Sequence, residues 1–61
     1  MRAREVISKL LENGFKLVSQ KGSHVKFRKG PLTTIVPVHG GKDIRIGTIR
    51  SIEKQTGIKL L

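Results

Sequence analysis

The chain has 61 residues, of which 13 are Lys or Arg and only 4 are Asp or Glu, giving a formal net charge of +9. A chain of this length buries only about 60% of the surface that its unfolded form exposes, so we expect residues 1–61 to form one small domain of modest stability. The absence of cysteine excludes disulfides and thiolate metal sites and favours a cytoplasmic location, and no apolar run approaches the roughly 20 residues of a membrane helix.

The strong positive charge predicts a polyanionic partner. Binding of Lys and Arg to phosphates releases counterions, which favours nucleic acid over an acidic protein, a membrane surface or a role in solubility alone. Only Phe15 and Phe27 are aromatic. We therefore expect contacts to the phosphate backbone and not the stacking of bases on aromatic side chains.

The first predicted element is a helix from Arg2 to Asn13. A single apolar stripe at helical spacing indicates it, formed by Val6, Ile7, Leu10 and Leu11. Asn13-Gly14 supplies the left-handed residue that commonly ends a helix. The start of this helix has no clear capping residue.

Three antiparallel strands follow as a meander. They are predicted at Phe15 to Gln20, Ser23 to Lys29 and Leu32 to Val38, with turns at Lys21-Gly22 and Lys29-Gly30-Pro31. Alternation along the first strand predicts that Phe15 and Leu17 face the core. It leaves Val18, on the other face, unexplained.

The second strand carries the residues of greatest chemical interest. Alternation sends Val25 and Phe27 to the packed face and His24, Lys26 and Arg28 to the open face. Imidazole carries a proton at neutral pH, and fixed cations hold a phosphate and favour negative charge on its oxygens. This pattern is typical of a site that cleaves a phosphodiester.

A loop at His39-Gly40-Gly41-Lys42 precedes a second predicted helix. Ile46, Ile49 and Ile52 recur along its core face, and Gly57 marks its end. Either Asp43 or Thr48 could cap its start. The resulting order, α-β-β-β-α, predicts an α+β fold with a three-stranded antiparallel sheet and both helices on one face.

In this order and spacing the motifs resemble the HicA-type mRNA interferases, the YcfA-like toxins of bacterial and archaeal toxin-antitoxin pairs. The residues that carry the resemblance are Leu10-Leu11, Asn13-Gly14-Phe15, Gln20-Lys21-Gly22-Ser23-His24, Val36-Pro37-Val38-His39, Gly47-Thr48-Ile49-Arg50-Ser51-Ile52 and Gly57-Ile58. One departure is Ile46, where many members have a proline.

The resemblance implies a fold similar to double-stranded-RNA-binding domains, ribosome-independent cleavage of mRNA and neutralisation by a HicB-type antitoxin. It assigns His24 as the catalytic histidine. We expect RNA contacts from the residues around it, namely Lys21, Gly22, Ser23, Lys26 and Arg28. We expect no small-molecule cofactor and no metal.

The sequence leaves several roles open. Gly22 either frees a turn or admits the RNA backbone, and Ser23 either orients a phosphate or starts a strand. His39 is either a second acid or base or, as is commoner for a loop histidine, a surface residue. A zinc site of His24, His39 and Asp43 is disfavoured, because the chain has no cysteine and few, scattered carboxylates.

The leading functional hypothesis is a metal-independent endoribonuclease, in which His24 moves a proton while the 2′-hydroxyl attacks the phosphate. The alternatives are a non-catalytic RNA-binding module and a small architectural nucleic-acid protein. The apolar ending Leu60-Leu61 is expected either to pack against the first helix or to contact a partner.

Overall fold

A computed structural model describes residues 1–61. Its elements in chain order are α1 (Ala3–Glu12), β1 (Lys16–Lys21), β2 (His24–Lys29), β3 (Leu32–Pro37) and α2 (Ile46–Thr56). The strands form one antiparallel sheet in the order β1-β2-β3, with β2 in the centre. The predicted α-β-β-β-α order and α+β class are confirmed. Neither helix has the length and apolar character needed to cross a membrane.

The hydrophobic core lies between the two helices and one face of the sheet. Its members are Ala3, Val6, Leu10, Phe15, Val25, Phe27, Val36, Ile44, Ile49 and Ile52. Both helices pack mainly over β3. The opposite face of the sheet is left uncovered, and its side chains along β2 are exposed.

Helix α1 ends as predicted. At its start a side chain accepts a backbone hydrogen bond that the sequence pattern did not suggest. The Arg2 backbone N–H donates to Oε1 of Glu5 at 2.9 Å, which satisfies a donor just before the first turn. At the other end the Asn13 side-chain amide donates to the Lys9 carbonyl at 2.8 Å. Gly14 then takes φ +86°, a left-handed conformation that favours glycine.

The predicted capping of α2 by Asp43 or Thr48 is wrong. Arg45 occupies the N-cap position with φ −61° and ψ 144°, and its side chain makes no capping hydrogen bond. Thr48 already lies inside the helix, and Asp43 precedes the N-cap by two residues. The predicted end at Gly57 is confirmed, because this residue takes φ +75° and its N–H donates to the Glu53 carbonyl.

The core face of α2 also differs from its predicted pattern. Ile49 and Ile52 are buried, but Ile46 is 66% exposed. The missing core position is filled from outside the helix by Ile44, whose N–H donates to the Met1 carbonyl at 2.7 Å. The extended segment before α2 is hydrogen-bonded to the N-terminal residues. It therefore supplies the core contact that the recurrence of isoleucine at every third residue assigned to Ile46 of the helix.

A β-bulge explains the unassigned Val18. Leu17 pairs with Phe27 but Ser19 pairs with Lys26, so Val18 is an extra residue in β1. Phe15 is buried as predicted, whereas Leu17 is 56% exposed although it lies opposite Phe27. Because the helices lie over β3, they do not cover the far edge strand, and the prediction that Leu17 packs in the core is wrong.

The segment after α2 folds back onto the helix. The backbone N–H groups of Leu60 and Leu61 donate to Oε2 of Glu53 at 2.7 and 3.0 Å. These bonds, first that from Leu61 and then that from Leu60, lower the pKa of Glu53 below its ordinary value, with a further contribution from Arg50. Leu60 packs against the core, while Leu61 remains 45% exposed.

Candidate active site

His24 is the first residue of β2 and is exposed on the uncovered face of the sheet. It pairs with Lys21 of β1 on one side and Pro37 of β3 on the other. Its strand neighbours Val25 and Phe27 are buried at 4% and 1% exposure, so the predicted facing of this strand is correct. Two flanking strands hold the histidine backbone while its side chain remains accessible.

A two-residue hairpin loop, Gly22-Ser23, fixes the pairing of Lys21 with His24. Gly22 has φ +58° and Ser23 does not have positive φ, as in a type II′ turn. A Cβ at Gly22 would meet no atom within 4 Å, so the backbone conformation and not the available space requires glycine. Lys21, predicted to be in the turn, is instead the last residue of β1 and lies opposite His24.

The hairpin loop is tied to both neighbouring strands. The Gln20 side-chain amide donates to the Gly22 carbonyl at 3.2 Å. The Val38 N–H donates to the Ser23 carbonyl at 2.6 Å. Ser23 therefore anchors the end of β3 through its backbone, and this structural role exists whether or not its hydroxyl contacts a phosphate.

Two cations share a hollow with His24. This hollow, of about 610 Å³, is lined by Ser19, Lys21, His24, Lys26 and Ile35. Lys21 lies opposite His24, and Lys26 is two residues further along the same face of β2. The alternation along β2 correctly placed Lys26 on the same face as His24, whereas the position of Lys21 opposite His24 was not predicted.

Arg28 lies on the same face but further from the histidine. At about 3.3 Å per residue, four residues along β2 correspond to roughly 13 Å. Its Nε donates to the Gly30 carbonyl at 3.2 Å, which directs the side chain toward the β2–β3 turn. Arg28 lines neither of the two hollows that contain His24.

A larger cleft of about 830 Å³ adjoins His24. Its polar lining includes His24, His39, Lys42, Asp43, Arg45 and Thr48. Because β3 runs antiparallel to β2, the chain leaving β3 passes the start of β2 and brings its loop to His24. Both histidines of the chain therefore line one cleft.

The cations around His24 have no acidic partners. The only ion pair in the structure joins Nη1 of Arg50 to Oε1 of Glu53 at 3.5 Å, on α2. Lys21, Lys26 and Lys42 are thus free to contact an anion. No three His, Cys, Asp or Glu side chains come together as a metal site, and this includes His24, His39 and Asp43.

Comparison with known proteins shows the family of this chain. A profile of the family described as "HicA toxin of bacterial toxin-antitoxin" matches residues 3–58, from the first turn of α1 to the residue after Gly57. The chain belongs to the HicA toxin family. The resemblance inferred from the sequence motifs is therefore confirmed.

A relative in the HicA family comes from Pseudomonas fluorescens (strain Pf0-1) and is named "Probable mRNA interferase HicA". It is 38% identical over 50 residues, which cover 82% of this chain and 83% of the relative. No solved structure gives a significant match.

Sequence reasoning did not assign several residues that line the two hollows beside His24, namely Ser19, Ile35, Lys42, Arg45 and Thr48. A topological signal was present in the predicted meander. The end of the third strand must lie beside the start of the second, so the loop at 39–45 had to come close to His24. The predicted elements could have revealed this cleft, although residue spacing alone could not.

Proposed function

We propose that this HicA-family toxin is an endoribonuclease that cleaves mRNA, with His24 as a general acid or base. The observation that carries the proposal is an exposed histidine flanked by two cations, Lys21 and Lys26, that have no acidic partner. The name of the 38% identical relative, an mRNA interferase, supports the same activity.

In the proposed reaction the 2′-hydroxyl of one nucleotide attacks the adjacent phosphorus. The P–O5′ bond breaks, and the products are a 2′,3′-cyclic phosphate and a 5′-hydroxyl. Lys21 and Lys26 hold the phosphate and stabilise the charge that develops on its oxygens. His24 transfers one of the protons that move, and the reaction requires no metal.

We also propose that a HicB-type antitoxin neutralises the toxin by covering the sheet face around His24. This face has no lid in the structure, and its basic residues are unpaired. With a net charge of +9, the toxin favours an acidic partner, because like charges would repel a basic one.

The test is cleavage of a defined RNA by the purified protein in EDTA. We expect His24→Ala to keep the thermal melt and the RNA affinity, because truncating an exposed side chain leaves no cavity and affinity resides in the fixed cations. Cleavage should fall by ~10²–10⁴-fold, which is the usual contribution of a positioned acid or base. Lys54→Ala, which removes an exposed cation of α2 outside both hollows, serves as the matched control and should cleave normally.

The substrate provides the second half of the test. An RNA with hydrogen in place of each 2′-hydroxyl should bind but not be cut, and the cut RNA should end in a 2′,3′-cyclic phosphate. EDTA-sensitive cleavage of both substrates, or full activity in His24→Ala, would refute the mechanism. Binding without any cleavage by the parent protein would instead support the non-catalytic RNA-binding module.

A further inference from the structure

The proposed cleavage needs two proton transfers, and His24 supplies only one of them. One group must accept the proton of the attacking 2′-hydroxyl, and another must donate a proton to the departing 5′-oxygen. We propose that His39 is the second proton-transfer group, so that His24 and His39 act as an acid–base pair. This inference rests on the ribonuclease function proposed above.

The backbone around β3 places His39 on the same side of the sheet as His24. The Val38 N–H donates to the Ser23 carbonyl at 2.6 Å, so the β2–β3 ladder continues one residue past Pro37. Val38 is half-buried and packs against the core. Alternation then turns His39, which is exposed, to the open face.

The register also gives the approximate spacing of the two histidines. His24 pairs with Pro37, and His39 follows two residues after Pro37, just past the end of β3, which puts it at the position diagonal to His24. Diagonal neighbours in an antiparallel ladder are about 7–8 Å apart. The attacking and leaving oxygens lie on opposite sides of the phosphorus. Two histidine side chains that start from this backbone spacing and open into one cleft can each reach one of these oxygens when the phosphate lies between them.

The other polar groups of the cleft suit different tasks. Lys42 and Arg45 are cations without an acidic partner and fit phosphate oxygens. Asp43 is the only carboxylate in the lining, and its backbone forms a bridge with Arg2. The two histidines are the only imidazoles in the chain, and both open into this cleft of about 830 Å³.

The proposed step is balanced without a further reagent. The base takes the proton of the 2′-hydroxyl as the O2′–P bond forms. The acid gives its proton to O5′ as the P–O5′ bond breaks. One imidazole gains a proton and the other loses one, and exchange with water restores both.

The decisive experiment uses an RNA in which sulfur replaces the bridging 5′-oxygen at the cleaved bond. A thiolate leaves without protonation, so this substrate removes the need for the general acid. We expect both His39→Ala and His24→Ala to lose ~10²–10⁴-fold in kcat on ordinary RNA. On the sulfur-containing RNA we expect one of the two variants, and only one, to return to within about tenfold of the parent protein.

Binding and pH provide readouts that a purely structural role would not change. Both variants should bind a 2′-deoxy analogue of the cleaved site as tightly as the parent protein does. The parent pH–rate profile should have two limbs, and each variant should lose one of them. These outcomes, together with rescue of a single variant, would establish the pair and assign its acid and base.

The opposite outcomes overturn the inference in distinguishable ways. Cleavage within threefold of the parent by His39→Ala, with His24→Ala inactive, would remove His39 from the mechanism and leave the proposed function intact. Rescue of both variants, or of neither, by the sulfur substrate would also reject the acid–base pair. Full activity in His24→Ala would refute the proposed function itself.

Discussion

Phe27 is the central side chain of the core. It is 1% exposed and lies on the middle strand under the helices, next to Thr34 of β3. Thr34 is itself buried, and its hydroxyl donates to Oε1 of Gln55 at 2.7 Å, so β3 is bonded directly to α2 at this level. The loss of volume at Phe27 would therefore disturb both the sheet and the helix that covers it.

We predict that Phe27→Ala leaves the protein largely unfolded. A buried Phe→Ala change typically costs ~3–5 kcal/mol, which is comparable to the whole free energy of unfolding of so small a domain. Leu17→Ala is the matched control, because Leu17 pairs with Phe27 on the same face but is 56% exposed. Thermal melts of both variants check this, and equal melting temperatures for Phe27→Ala and the parent would contradict it.

Glu53 makes the contribution of the C-terminal segment to the free energy of unfolding dependent on pH. Its pKa is lowered in the folded protein by the N–H groups of Leu61 and Leu60 and by Arg50. A carboxyl group with a depressed folded pKa stabilises the fold above its unfolded pKa and loses that effect as pH falls through the folded pKa. The stabilisation is therefore present at neutral pH and disappears in acid.

We predict that Glu53→Gln releases residues 60–61 at neutral pH. Amide hydrogen exchange of Leu60 and Leu61 should accelerate, and the difference in melting temperature between parent and variant should shrink as pH falls below the ordinary pKa of a glutamate, about 4.3. Glu12→Gln, at an exposed position of α1, is the control and should leave both amides unchanged. Equal protection of these amides in the Glu53 variant would show that the carboxylate does not hold the segment.

At the scale of elements, strand β2 divides its cations between two locations. Lys26 shares a hollow with His24, whereas Arg28 lies roughly 13 Å further along and is bonded to the β2–β3 turn. Both face the uncovered side of the sheet. The same strand face is therefore expected to bind the RNA backbone over a distance longer than one phosphate.

We predict that Lys26→Ala and Arg28→Ala differ in catalysis but not in salt dependence. Each lost phosphate contact should flatten the slope of log K against log salt for single-stranded RNA by ~0.7. Only Lys26→Ala should also lower kcat at saturating RNA, because only Lys26 lies beside the proposed reacting phosphate. Unchanged slopes in both variants would move the RNA-binding surface away from β2.

At the scale of the whole molecule, one face of the sheet packs against the helices and the other face is exposed. The helices cover one side of the sheet, and the candidate site residues on the other side have neither a lid nor acidic partners. A net charge of +9 attracts any polyanion to this surface. The proposed antitoxin must therefore compete with RNA for the same surface.

We predict that the antitoxin complex protects the open sheet face. Hydrogen exchange should slow at the amides of the β1–β2 hairpin and the 39–45 loop, and RNA should compete with the antitoxin. The exposed side of α1 serves as the internal control and should exchange as in the free toxin. Protection confined to the helices, with the hairpin unchanged, would show that inhibition does not act by covering His24.

The sequence by itself determined the order of the elements, the facing of β2 and the end of α2. These features depend on residues that are close together in the sequence. The facing of β2 follows from the alternation of Val25 and Phe27 with His24 and Lys26, and the end of α2 follows from the left-handed conformation of Gly57. The motifs from Leu10 to Ile58, taken in their order and spacing, likewise sufficed to identify the family.

Only the tertiary structure decided which candidate positions are covered and which side chains line the cleft beside His24. Leu17 is exposed because the helices lie over β3, and Ile46 is exposed because Ile44 fills the core from the extended segment before α2. His39 joins His24 because the antiparallel register carries the end of β3 past the start of β2. Such outcomes depend on how distant segments pack, and the spacing of residues within one element carries no information about that.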